Sequence, residues 1–303
     1  IPALDSDAPP PDLWRRLSKA VCKRLSDRAG RIPVNDSKKL KTKASGLKHL
    51  ETGCLAFAGL LGDRPASLDR WLDLLGESAH HDLGKLPWYQ PCDGRPWQAL
   101  PTATTEGELA VASSMLSACA ERIGVELGGI GAAVVFEDRF NHMVAATRSK
   151  ASTSFTFVAK HLLHIWETYR QHRPTVVVDR QGGRTHYRDV LALSFPGVQV
   201  DVIEESAICS AYQLTDPADR THSMKVSFQV DAEEANLPVA LASMVSKYTR
   251  ELFMARLNDY FTGHVPELKP TAGYAKDGKR FLEDLAPHLP AMGIDPEALR
   301  RRA

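Results

Sequence analysis

Acidic side chains occur at two places where a predicted strand gives way to a loop or helix. Asp179 ends the run Val176 to Val178, and Asp231, Glu233 and Glu234 lie between a predicted strand and a predicted helix. Carboxylate oxygens are the ligands that Mg²⁺ and Mn²⁺ prefer. Acidic residues are also common in ordinary turns and at helix starts, so no single one of them indicates a metal site. Taken together, the carboxylates predict a divalent-cation site.

Basic side chains at helical spacing could hold a phosphate beside those carboxylates. Lys247 and Arg250 lie three residues apart on a predicted helix and share one face, and Ser243 lies one turn before Lys247. A solvated basic face explains this pattern as well as phosphate contact does.

Two loops add further polar candidates. The first contains Asp36, Ser37, Lys38 and Lys39, and the connection after Asp179 contains Arg180, Arg184 and Arg188. Each set could contact phosphates, and each could equally be solvated, since lysines and arginines are mostly exposed.

Strands and helices alternate along the chain, which predicts an α/β fold with a mixed central sheet flanked by helices. Hydrophobic periodicity predicts strands at 130–137, 175–179, 198–203 and 225–230, and helices at 12–28, 47–61, 68–75, 107–123, 154–169, 187–193 and 238–260. The β-branched run ending at Asp179 is typical of a strand buried on both faces. Asp179 would then lie at the carboxyl end of a strand, where open α/β sheets place their ligands.

The 303 residues are interpreted as one domain, 1–303. Residues 62–106 are rich in Pro and Gly, contain three of the five tryptophans, and are predicted to be an insertion or surface excursion. Residues 287–303 are predicted to form a polar, basic tail.

Composition restricts the class of protein. The formal charge of +1 means that any anion-binding surface must come from local clustering. The five cysteines form no CxxC pair, which argues against a zinc knuckle or a disulfide framework and favours the reducing cytoplasm. No apolar run approaches the ~18 residues that span a bilayer, so we expect a cytoplasmic monomer without membrane contact.

Four segments resemble the type 2 ribonucleases H (ribonuclease HII) in order and context. They are NDSKKL at Asn35 to Leu40, VVVD at Val176 to Asp179, LPVALASMVSKYTRE at Leu237 to Glu251, and AGY at Ala272 to Tyr274. The resemblance runs from residue 31 to about 285, leaving out 62–106. It implies a ribonuclease H-like fold and an endonuclease that cleaves RNA/DNA hybrids, or ribonucleotides embedded in DNA, with two Mg²⁺ or Mn²⁺ ions.

The resemblance also implies roles for individual residues. Asp179 matches a metal-binding aspartate, and Glu233 lies fourteen residues before Lys247, where the family has its last metal carboxylate; Asp231 is the alternative. Tyr274 matches a tyrosine that stacks on a sugar. The residues expected to contact the nucleic acid are Asp36, Ser37, Lys38, Lys39, Arg180, Arg184, Lys247, Arg250 and Tyr274.

One family element is missing from the sequence as written. The opening strand with its Asp-Glu-Ala-Gly-x-Gly motif, which supplies two further metal carboxylates, should lie immediately before Ile1. The chain is therefore expected to lack half of its metal site and one strand of the sheet. A catalytically inactive nucleic-acid-binding relative is an alternative for the same reason.

A third hypothesis comes from HHDLGKLP at 80–87, which resembles the His-Asp motif of HD-type phosphohydrolases. In that case His49, His81 and Asp82 would bind a metal. Because HD domains are all-helical, the predicted strands count against this alternative.

Overall fold

The computed structural model describes residues 11–76, 83–91 and 96–301. The helices are α1 Leu13–Arg16, α2 Ser37–Leu40, α3 Lys48–Ala58, α4 Leu68–Leu75, α5 Glu106–Ile123, α6 Glu137–Thr147, α7 Lys150–Tyr169, α8 Arg188–Ser194, α9 Ala232–Ala235, α10 Leu237–His264, α11 Ala275–Leu285 and α12 Leu289–Met292. The strands are β1 Val21–Cys22, β2 Ile32–Pro33, β3 Thr175–Asp179, β4 Gln199–Glu205, β5 Cys209–Thr215 and β6 Ser223–Gln229. The predicted mixed α/β class is confirmed.

The main sheet has the strand order β3-β6-β5-β4. β3 pairs with β6 in parallel, whereas β5 is antiparallel to both β6 and β4. It follows that β3, β4 and β6 all run in one direction, so their carboxyl ends lie at the same end of the sheet. Open α/β sheets bind their ligands at such an end.

β3 is an edge strand, and the expectation that it is buried on both faces is wrong. Val176, Val177 and Val178 are only half-buried. Hydrogen bonds from Lys225 N to Pro174 O and from Arg180 N to Gln229 O, both 2.9 Å, fix the register. In a parallel ladder the alternate residues 175, 177 and 179 then turn their main-chain groups away from β6. No strand in the described ranges pairs with that outer edge.

The buried apolar residues form two separate clusters. The larger one gathers side chains from the helices at both ends of the chain, and the smaller one packs α7 and α8 against one face of the sheet. In the smaller cluster, the Tyr187 ring stacks on Phe228 with centroids 3.7 Å apart. Because α7 and α8 pack against the sheet on one side only, each helix needs a single apolar stripe.

α10 connects the core to the candidate site. Pro238 lies in its first turn, where a missing N–H breaks no hydrogen bond. One face buries apolar residues such as Leu241, Met244 and Tyr248. The predicted helix at 238–260 is confirmed, and the side chains on its less buried face are available for chemistry.

Glu51 joins three parts of the larger cluster. Its side chain is fully buried on α3. One carboxylate oxygen accepts hydrogen bonds from the Thr102 amide, the Thr102 hydroxyl and the Tyr248 hydroxyl, and the other accepts from the amides of Ala103 and Thr104, all between 2.6 and 3.0 Å. The carboxylate therefore ties α3 to α10 and to the loop before α5.

Two predicted surface segments belong to the core instead. Within 62–106, Trp71 and Trp88 are buried, so the described part of this segment is not a surface excursion. Within 287–303, Leu289 is buried, and Met292 and Leu299 pack against the larger cluster. The described part of the tail is therefore packed against the core. In both segments the overall composition is polar, but a few widely spaced apolar residues make the contacts with the core.

One predicted strand is absent, one predicted helix is much shorter than expected, and the short strands β1 and β2 and the central strand β5 were not predicted. The helix expected at 12–28 ends at Arg16, because Val21 and Cys22 pair with Ile32 and Pro33 as short strands. Residues 130–137 form no strand: Ala132 donates to the Leu75 carbonyl at the end of α4, and α6 begins at Glu137. β5 has no counterpart among the predicted strands.

No helix in the parts of the chain that the structure describes is long and apolar enough to cross a membrane.

Candidate metal and nucleic-acid site

The carboxyl ends of β3 and β6 bring Asp179 and Glu233 together. The amide of Ala232, at the start of α9, donates to Asp179 Oδ1 at 3.3 Å. Glu233 is the next residue, and burial and, after it, the nearby charge of Asp179 raise the pKa of Glu233. Asp231 is exposed and has a left-handed backbone with φ of 51°, and no described contact joins its side chain to Asp179. Of the two predicted alternatives, the structure places Glu233 beside Asp179.

Asp36 is the third acidic residue near this position. It caps α2 by accepting a hydrogen bond from the Lys38 amide at 3.0 Å. Burial is the main cause that raises the pKa of Glu233, and the charges of Asp179 and Asp36 raise it further. We call Asp36, Asp179 and Glu233 the carboxylate cluster.

The carboxylate cluster offers oxygen atoms of the kind that bind divalent cations. Glu233 Oε2 is closed to solvent and accepts no hydrogen bond from any described residue. Ionised carboxylates only accept hydrogen bonds, so a shared proton or a cation would be needed to bring the carboxylates of Asp179 and Glu233 into contact. Oxygen donors alone suit Mg²⁺ or Mn²⁺. Among the described residues, no three such side chains already stand at metal-ligand geometry, so binding would require side-chain adjustment.

Lysines border the carboxylate cluster. Lys39 and Lys23 both pair with Glu234, the neighbour of Glu233, and the hydrogen bond from Lys39 is the main cause that lowers the pKa of Glu234. Lys38 is exposed and makes no ion pair with the described part of the chain. Lys38 is therefore the member of the DSKKL turn with its charge available to a ligand.

A pair of hydroxyls connects this turn to α10. Ser243 Oγ lies 3.0 Å from Ser37 Oγ. Lys247 follows Ser243 by four residues, which is one helical turn and ~6 Å along the axis. The contact thus fixes the carboxylate cluster and the basic face of α10 relative to each other.

Further along α10, a basic and aromatic group surrounds Glu251. Lys41, Lys247 and Arg250 lie 2.6, 3.0 and 3.1 Å from its carboxylate. Lys247 Nζ and Arg250 Cζ also lie 5.0 and 4.8 Å from the centre of the Tyr274 ring, and Lys247 donates a hydrogen bond to the Tyr274 hydroxyl. We call these five residues the Tyr274 group; together they place two cations under one aromatic ring.

Ion pairs and hydrogen bonds within the Tyr274 group shift the pKa values of its members. Burial would raise the pKa of Glu251, but hydrogen bonds from Lys41 and Lys247 outweigh it and lower that pKa. The hydrogen bond from Lys247 is the main cause that lowers the pKa of Tyr274. Burial would lower the pKa of Lys247, whose side chain is only 14% exposed, but hydrogen bonds to Tyr274 and Glu251 outweigh burial and raise that pKa.

Gly273 is what permits this position of Tyr274. Its φ is +70°, and a Cβ there would lie 2.9 Å from the Arg250 guanidinium. The AGY segment can therefore turn over α10 only with glycine at its centre. Tyr274 itself remains 55% exposed and accessible to a stacking partner.

The arginines after Asp179 differ in their roles. The Arg180 guanidinium donates to the carbonyls of Ser206 and Ala207 and to the Ser210 hydroxyl, so it braces the β4–β5 turn. Arg184 instead lies over the rings of Phe155 and Tyr187, at 5.6 and 5.7 Å. Arg180 is occupied by main-chain contacts, which leaves Arg184 as the better candidate for a ligand.

The structure describes one of the three residues of the HD-type alternative. His81 and Asp82 lie outside the described residues. His49 lies half-buried on α3, and burial is the main cause that lowers its pKa.

Sequence reasoning did not assign Asp36 to the carboxylates or Glu251 to the basic residues. The signal for Glu251 was present, because Lys247 and Glu251 are four residues apart on a helix. No local signal joins Asp36 to Glu233, which are distant in sequence. No protein-family model, curated protein or solved structure gives a significant match to this chain.

Proposed function

We propose that this protein is a metal-dependent endoribonuclease that cleaves the RNA strand of RNA/DNA hybrids, or DNA at embedded ribonucleotides. The observation that carries the proposal is that Asp179 contacts the start of α9, where the next residue, Glu233, has one buried oxygen without a hydrogen-bond partner in the described chain, with Asp36 nearby. The resemblance to ribonuclease HII gave the same two residues from the sequence.

Asp179 and Glu233 would hold the divalent ions, with Asp36 next to them. Bound ions of this class lower the pKa of an attacking water and stabilise the oxygen that leaves a phosphodiester. The chain's own contribution is to orient the carboxylates: the Ala232 amide fixes Asp179, and the N-cap contact fixes Asp36.

The basic residues would bind and position the nucleic acid. Lys38 offers an exposed cation beside the carboxylate cluster, and Lys247 and Arg250 offer two more beneath Tyr274. The exposed face of Tyr274 suits a sugar or a base, because aromatic rings stack on nucleic-acid components without regard to sequence.

The open edge of β3 is compatible with a further strand. The resemblance implies two more carboxylates on an additional strand, and within the described part of the chain no strand pairs with the main-chain groups of residues 175, 177 and 179. A strand added there would end beside Asp179 and so beside the carboxylate cluster.

The test is cleavage of a hybrid and of a single-ribonucleotide duplex by the full-length protein and its Asp179→Asn variant. The variant should lose about a hundredfold or more in kcat, the scale of removing one preorganised electrostatic group. Its melting temperature should hold or rise, because the substitution removes repulsion from Glu233. Asp201→Asn, on the exposed strand β4, is the matched control and should cleave normally. Full activity in Asp179→Asn would remove Asp179 from the site.

A second candidate is a nucleic-acid-binding protein without catalysis. The Tyr274 group favours it, since that group is complete without any further carboxylate. Tight hybrid binding with no cleavage in Mg²⁺ or Mn²⁺ would support this candidate and overturn the nuclease.

A further inference from the structure

An open cleft of about 370 Å³ lies beside β4, apart from the carboxylate cluster and the Tyr274 group. Its lining includes Arg184, His186 and Arg188 from the segment that follows β3, with Glu205 at the end of β4. Three basic side chains within five residues therefore face one concavity. Neither the proposed metal site nor the stacking site uses His186 or Arg188.

The segment that presents these side chains is held firmly. The Tyr187 amide donates to the Tyr212 hydroxyl at 2.8 Å, and the Gln181 amide donates to the Tyr187 hydroxyl at 3.3 Å. The Tyr187 ring is fully buried against Phe228. Arg184 is oriented by its position over Phe155 and Tyr187. A preorganised arginine loses less freedom on binding an anion than a solvated one.

Two acidic residues, Glu205 and Asp189, also line the cleft, and the carboxylate of Glu205 already has hydrogen-bond partners. Glu205 accepts a hydrogen bond from the Tyr212 hydroxyl with one oxygen, and its other oxygen lies 2.7 Å from His186 Nδ1. The Tyr212 hydrogen bond, followed by that of His186, lowers the pKa of Glu205. The His186 side chain is 75% exposed, so its ring remains accessible from the cleft while Nδ1 contacts Glu205.

The remaining charges leave the cleft attractive to an anion. Arg188 is 61% exposed, and its only acidic contact in the described chain is with Asp189, at 4.0 Å. The Asp189 side chain is 94% exposed, so solvent screens that pair. Arg188 and Arg184 thus remain available as donors, and arginine suits planar, bidentate contact with phosphate oxygens.

The position of the cleft connects it to the candidate active site. Glu205 and Asp179 end strands that run in the same direction, so both lie at one end of the sheet. β6 and β5 separate these strands, which places their ends ~14 Å apart at the usual strand spacing. A polynucleotide lying across this end of the sheet could reach both places.

We propose that Arg184, His186 and Arg188 form a second phosphate subsite, which holds a backbone phosphate of the nucleic acid away from the bond that is cut. The inference rests on the proposed function, and it assigns part of the nucleic-acid binding to residues outside the carboxylate cluster. Its chemistry is that of a phosphodiester anion bound by two guanidinium groups and an imidazole N–H.

The experiment measures the affinity of the full-length protein for a short RNA/DNA hybrid as a function of salt concentration, with EDTA present so that no cleavage occurs. Each phosphate contact adds to the slope of log affinity against log salt. Arg188→Ala should weaken binding at every salt concentration and reduce the slope by about one, and Arg188→Glu should weaken binding more. Arg220→Ala and Arg220→Glu are the matched controls, because Arg220 is exposed in the β5–β6 connection at the opposite end of the sheet; both should bind like the wild type.

The outcomes separate this inference from the proposed function. Equal slopes for the wild type and both Arg188 variants overturn the subsite, whatever the cleavage assay shows. A wild type that binds no hybrid overturns the subsite together with the proposed function. A titration with inorganic phosphate that shifts the His186 imidazole resonances, without any change of hybrid slope in the Arg188 variants, assigns the cleft to a small phosphate compound instead and also overturns the subsite.

Discussion

Replacing Glu51 should destabilise the protein strongly, although Glu51 lies outside the candidate site. Its fully buried carboxylate accepts five hydrogen bonds. In Glu51→Ala the Thr104 amide and the Tyr248 hydroxyl lose their acceptor on buried residues, whereas Thr102 and Ala103 are exposed and can bond to water. Each buried donor left unsatisfied costs ~1–3 kcal/mol, and the cavity adds to this. We expect a loss of about 4 kcal/mol in the free energy of unfolding.

Urea denaturation followed by circular dichroism measures this loss. Glu51→Gln keeps the shape but turns an NH₂ group toward donors, so it should lie between the wild type and Glu51→Ala. Glu106→Ala is the control: Glu106 is 64% exposed, pairs with Arg64, and should change the free energy of unfolding by less than ~1 kcal/mol. A loss below ~1 kcal/mol for Glu51→Ala would refute the reasoning that this carboxylate holds α3, α10 and the loop together.

Two further predictions concern the candidate site. Folding raises the pKa of Glu233, so the ionised carboxylate destabilises the fold above that pKa, and this destabilisation vanishes as pH falls below the pKa that Glu233 has in the unfolded chain. Glu233→Gln should therefore raise the melting temperature at neutral pH. Calorimetry should show that this gain becomes smaller as the pH is lowered. If the gain is the same at every pH, the raised pKa of Glu233 is not its cause. Glu251→Gln removes the shared partner of Lys41, Lys247 and Arg250, so filter binding should show a tighter hybrid complex with a steeper salt dependence; an unchanged or shallower slope would mean that these cations do not face the nucleic acid.

Local patterns in the sequence were sufficient for the elements that carry the site. The helical periodicity of 238–260 and the β-branched run at 175–179 predicted α10 and β3 correctly. The position of Asp179 at the carboxyl end of a strand was also predicted, whereas the parallel pairing of β3 with β6, which brings α9 next to Asp179, was not. These predictions needed only periodicity and the usual connection rules.

Features that depend on contacts distant in sequence were not predictable in this way. β5 alternates small or polar residues with Tyr212 and Leu214, and it is recognisable as a central strand only once β4 and β6 flank it. The spacing of Leu13, Leu17 and Val21 indicated a helix, but pairing with β2 overrides that preference. Asp36 joins the carboxylate cluster only through the packing of α2 against α10.

The carboxylate cluster draws on both hydrophobic clusters of the molecule. Asp36 sits between Val34 and Leu40 of the larger cluster, whereas Asp179 ends the strand whose Val176 and Val178 pack against the smaller one. Local unfolding of either hydrophobic cluster therefore separates the acidic residues, even while the other cluster stays folded. The arrangement of these residues can be no more persistent than the weaker of the two cooperative units.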